Sequence, residues 1–166
     1  MARTPMVRVG QICYCAVSEG VPRRSLVVAL IVGTVLNLIN QGDAMLSGMP
    51  AARGGTDQGP TPIETMIASL LGCTNVILNR VAEKNHVEVR ALSLAAEASF
   101  DRHGVLLEEE VAVPFPEIRL TINLTTPSTD LQVERVKADL GKFCPVSRVI
   151  RQSGTRLEEI WNVTRT

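Results

Sequence analysis

Strict alternation of apolar and polar positions marks the second half of the chain. In EIRLTINLT, Ile118, Leu120, Ile122 and Leu124 alternate with Arg119, Thr121 and Asn123, which predicts a half-buried antiparallel strand. In VEVRALSLAAEASF, Leu92, Leu94, Ala96, Ala98 and Phe100 fall on one face of a second strand. The period changes upstream, in PTPIETMIASLLGCTNVILNRVAEK. Thr61 is a good N-cap, Pro62 suits the first helical position and Glu64 completes a capping box. From Met66 to Leu78 nearly every side of this helix is apolar, as in a buried central helix, and polarity returns at Asn79, Arg80, Glu83 and Lys84. Thr129-Asp130 caps a second helix, with Val136, Leu140 and Phe143 facing inward. That helix must stop at Cys144, because the residue before a proline avoids the helical region. VSRVIRQSG forms a short helix beyond the break and TRLEEIWNVT a last strand.

Residues 7 to 40 read as N-terminal strands, and 41 to 60 as a long turn-rich loop. The order of strands, helix, two strands, helix and strand implies an α+β fold. At 166 residues, all of 1–166 is expected to form a single domain.

Composition narrows the function. A formal net charge of zero argues against a nucleic-acid partner, which needs a basic face. Aromatic residues make up 3 %, too few for base-stacking platforms. The N-terminal residues lack the apolar core and small-residue cleavage site of a secretion signal, and the run from Ser25 to Ile39 is short for a bilayer. The expectation is a cytoplasmic protein without a membrane partner. The acidic stretch Glu108 to Glu110 reads as a solvated arm between two strands.

The candidate chemistry lies in the cysteines. Cys13 and Cys15 stand two apart on a strand and read as packing residues on one face. No Cys-x-x-Cys occurs, and neither His86 nor His103 has ligand-like spacing to a cysteine, so no metal site is expected. Cys73 shares the apolar stripe of the first helix with Met66, Leu70 and Ile77. Cys144 stands where a helix begins, close to free N–H groups and the positive end of a dipole, a setting that favours thiolate.

Two segments carry a resemblance. GGTDQGPTPIETMIASLLGCT (residues 54–74) and CPVSRVI (residues 144–150) resemble the two signatures of the OsmC/Ohr family. The resemblance implies antiparallel sheets wrapped around two central helices in an intertwined homodimer. It also implies a peroxidase acting on organic hydroperoxides in an oxidative stress response. By motif position Cys73 would be the peroxidatic cysteine and Cys144 the resolving one. An external dithiol such as a dihydrolipoyl group would be the reductant, with no bound cofactor or metal. An arginine on an N-terminal strand would hold the thiolate, and Arg23 and Arg24 are the candidates by region. Met66, Leu70 and Ile77 would give alkyl or lipid peroxides an apolar surround. The hydroperoxide-reductase branch carries a glutamate where this chain has Ile63, and Glu64 follows one residue later. Glu64 therefore has two readings, a helix cap or an orienter of the arginine. The alternative function is a non-enzymatic, small-molecule-binding or redox-sensing member of the family.

Overall fold

A computed structural model describes the backbone of residues 7–9, 12–16 and 23–31, the turn at 54–55, and residues 60–166 with their side chains. The strands are β1 (Val7–Val9), β2 (Ile12–Ala16), β3 (Arg23–Ile31), β4 (Ala91–Asp101), β5 (Glu117–Thr126) and β6 (Arg156–Arg165). The helices are α1 (Pro62–Lys84), α2 (Asp130–Phe143) and α3 (Pro145–Gln152).

The expected capping box starts α1. The Glu64 N–H donates to Thr61 Oγ1 at 3.2 Å, and Glu64 Oε2 accepts the Thr61 N–H at 2.7 Å. A cap of this kind contributes about 1 kcal/mol. At the other end Asn85 Nδ2 donates to the Val81 carbonyl at 2.8 Å. His86 then turns the chain with φ 55°, a left-handed conformation more often taken by glycine. Between these ends Ile67, Leu70, Leu71, Thr74, Asn75, Leu78, Val81 and Ala82 are buried. Length and composition alone would let this helix of 23 residues cross a bilayer. Its apolar stripe is instead packed on β3, β4, α2 and α3.

The six strands form one sheet in the order β1-β2-β3-β4-β5-β6. The alternation in β4 and β5 is realised residue by residue. Leu94 opposes Ile122 and Ala96 opposes Leu120, and all four are buried. The opposite face carries Ser93, Glu97, Arg119 and Asn123, none of them buried. With the helices on one side, the core lies between α1, α2, α3 and the inner face of the sheet.

Two expectations are corrected. The sheet is not antiparallel throughout, because β6 runs parallel to β5. The chain between them crosses over through α2 and α3 and re-enters from the same end, the connection that parallel neighbours need. Phe143 does not face inward. It is 52 % exposed at the last position of α2, with Lys84 Nζ 5.0 Å from its ring centre. Val133, Val136 and Leu140 already complete the buried stripe of that helix. Most of the expected 41–60 loop lies outside the described residues, as do residues 32–40. Within it, Gly54 adopts φ 79°, which a side chain would strain.

The arm between β4 and β5 is held by ion pairs. His103 Nδ1 lies 2.6 Å from Asp101 Oδ1 and 3.8 Å from Glu109 Oε1, and His103 Nε2 lies 4.0 Å from Glu108 Oε2. A cavity of about 310 Å³ beneath it is lined by Phe100, Gly104, Val111 and Pro114 among others, and by neither cysteine of α1 and α3.

Candidate active site

Cys144 occupies the joint between α2 and α3. Its N–H donates to the Leu140 carbonyl at 3.0 Å as the last bond of α2, and its own carbonyl accepts the Arg148 N–H at 3.1 Å as the first of α3. Pro145 imposes the break, and Cys144 is extended at φ −73°, ψ 106°. Ser147, buried in the first turn of α3, donates its hydroxyl to the same carbonyl at 3.0 Å. The Cys144 side chain is fully buried.

Cys73 comes to this joint from the middle of α1, half-buried. The two sulfurs are 3.5 Å apart although 71 residues separate them in sequence. Closing to a disulfide would need an approach of roughly 1.5 Å. The arrangement thus has one thiol accessible from outside and a second, buried, within short reach.

The surroundings push the Cys73 thiol up. Burial is the largest cause, and the neighbouring Cys144 adds to it. The backbone amide of Val146, second residue of α3, acts in the opposite direction and lowers it. Among the described residues no lysine or arginine faces that sulfur. A cation is therefore still needed if the thiol is to ionise near neutrality. Arg23 and Arg24 begin β3. Arg24 pairs with Phe100, whose row is buried on the helix-bearing face, while Arg23 pairs with Asp101 on the alternate row.

The other expected positions divide. Met66 and Ile77 are half-buried, packed against the edge of the core on the stripe that carries Cys73. Leu70 is wholly enclosed in the core. Glu64 is engaged with Thr61 at the start of α1, nine residues or about 13 Å along the axis from Cys73. Ile63, in the position that distinguishes this chain, is half-buried against the core. Among the described residues no group of His, Cys, Asp and Glu could hold a metal ion. The Val146 amide was absent from the sequence reading. The sequence does hold its signal, since the first N–H groups of any helix have no partner within it.

Comparison with known proteins agrees with this architecture. The family described as OsmC-like protein matches residues 55–159. An OsmC-like protein from Mycoplasma pneumoniae superposes with a TM-score of 0.58 at 14 % identity, over 70 % of this chain and 78 % of that one. A hypothetical protein from Aquifex aeolicus gives 0.54 at 16 % identity, over 96 % and 99 %. A Legionella pneumophila protein described as an organic hydroperoxide resistance protein gives 0.51 at 15 % identity, over 91 % and 96 %. No curated protein matches the sequence. With the family pattern spanning both cysteines and more than half of the residues, the chain belongs to the OsmC-like protein family.

Proposed function

We propose that this protein is a cysteine-based peroxidase that reduces organic hydroperoxides, with Cys73 as the attacking thiol and Cys144 as the resolving one. The observation that carries the reading is the pair of sulfurs at 3.5 Å, one half-exposed and one fully buried. The description of the Legionella pneumophila relative as an organic hydroperoxide resistance protein supports the same class of substrate.

In the first step the Cys73 thiolate attacks the terminal oxygen of R–O–O–H. The S–O bond forms, the O–O bond breaks, and the alkoxide takes a proton and leaves as the alcohol. In the second step the Cys144 sulfur displaces hydroxide from the Cys73 sulfenic acid, giving water and the disulfide. An external dithiol, of which a dihydrolipoyl group is one form, then reduces the disulfide and is itself oxidised. No metal or bound cofactor enters the scheme. Arg23 or Arg24 supplies the positive charge that offsets burial of Cys73, and Met66 and Ile77 present apolar surface to an alkyl chain. The working unit is a homodimer in the cytoplasm, whose second copy would cover the half-buried side of α1.

One observation favours a second reading, a non-enzymatic ligand-binding or redox-sensing protein: the described surroundings of Cys73 raise its pKa and supply no cation. Turnover of cumene hydroperoxide with a reduced lipoyl donor separates the two. Peroxidase action requires consumption of hydroperoxide that Cys73→Ser abolishes. A wild-type chain with both thiols intact that leaves the hydroperoxide unconsumed belongs to the second reading.

A further inference from the structure

Cys144 is held through its backbone. Its N–H is committed to the Leu140 carbonyl at the end of α2, and its own carbonyl takes two donors from α3. One is the Arg148 N–H at 3.1 Å, which the helix itself supplies. The other is the Ser147 hydroxyl at 3.0 Å, a bond that no α-helix requires. Ser147 is 2 % exposed, so its hydroxyl has left water to make this bond. No residue is spare on either side of Cys144, since Phe143 ends α2 and Pro145 opens α3. A carbonyl fixed by both donors therefore fixes the backbone at Cys144, with φ −73° and ψ 106°, and so the direction of its side chain.

We propose that Ser147 is a positioning residue for the thiol pair: through the Cys144 carbonyl it holds Cys144 Sγ at 3.5 Å from Cys73 Sγ. At that separation reacting atoms are already in near-attack contact. The proposal rests on the reading of Cys73 and Cys144 as a redox pair, but not on the identity of the oxidant. Cys73 is placed from α1, by the core around Leu70 and Leu71, so the hydroxyl acts on one sulfur and not on the other. Without the hydroxyl the joint between α2 and α3 samples more rotations at Cys144, and the sulfurs meet less often. The loss falls on forming the Cys73–Cys144 bond, whichever reagent takes the electrons.

Equilibration of the full chain with glutathione and glutathione disulfide tests this. In the exchange the S–S bond of glutathione disulfide breaks, the Cys73–Cys144 bond forms, and two protons pass to the released glutathione thiolates. Ser147→Ala should lower the equilibrium constant about ten-fold, the size of one ordinary hydrogen bond, which raises the reduction potential of the pair by about 30 mV. Ser147→Thr, which keeps the hydroxyl, should stay near wild type. A merely structural serine would lower Tm in the alanine variant and leave the potential where it was, and that result overturns the proposal. A threonine variant as oxidising as the alanine one overturns it as well. No hydroperoxide is present in this assay. A chain that leaves cumene hydroperoxide unconsumed but shows the alanine shift therefore sinks the peroxidase and keeps the role of Ser147. A chain that consumes it with an unshifted potential sinks the role of Ser147 alone.

Discussion

Joining Cys73 to Cys144 would close a loop of about 70 residues, and that length sets a measurable consequence. Chain-entropy arithmetic for such a loop gives roughly 4 kcal/mol of stabilisation, from residues 71 apart in sequence. The bond requires only a small approach of the sulfurs, so native strain should remove a minor part of this. For a chain of this size each kcal/mol raises Tm by about 2–4 °C, so full oxidation should raise Tm by about 10 °C. The assay is thermal unfolding before and after one equivalent of cumene hydroperoxide, with thiol titration alongside. Wild type should lose two titratable thiols and gain the full shift. Cys144→Ser, which forms the sulfenic acid and cannot close the loop, should show no such gain. A wild-type protein that loses two thiols without any rise in Tm would refute the argument. So would an equal rise in Cys144→Ser.

Three further outcomes are expected. Loss of the cation in the proposed scheme, by Arg23→Gln or Arg24→Gln, should lower the rate of Cys73 alkylation at neutral pH about ten-fold in one of the two variants; wild-type rates in both would remove the arginine from the scheme. Leu78 is fully buried in α1, so Leu78→Ala should cost about 2–5 kcal/mol in denaturant unfolding. Phe143→Ala, at an exposed position over Lys84, should cost under about 1 kcal/mol. The third concerns pH. The Asp101 hydrogen bond, with Asp101, Glu109 and Glu108 charges behind it, raises the His103 pKa above its ordinary value. The stabilisation is therefore complete below the unfolded histidine pKa and is lost as pH rises through the raised folded value. Exchange in residues 102–116 should accelerate across that window in wild type, and His103→Gln should flatten the profile.

Local chemistry wrote much of this protein into its sequence. Both capping boxes, at Thr61 and Thr129, follow from hydroxyl and carboxylate or amide groups three residues apart, and both form. The alternation of Ile118, Leu120, Ile122 and Leu124 decides which face of β5 is buried, because successive side chains must point to opposite sides. Cys144-Pro145 dictates the break between α2 and α3 through a steric clash with the preceding residue. Glu64 was legible as a cap for the same reason, though not as more than that.

Tertiary packing decided the rest. Phe143 continues the apolar spacing of α2 but falls outside the stripe that the sheet covers, so periodicity alone misplaced it. The direction of β6 depends on where the crossover through two helices re-enters the sheet, which no strand pattern encodes. The approach of two sulfurs from residues 71 apart exists only because α1 and α3 pack together. Sequence periodicity reports interactions within a few residues of the chain. The reactive geometry arises between elements, where packing density and the crossing of helices set distances to fractions of an ångström.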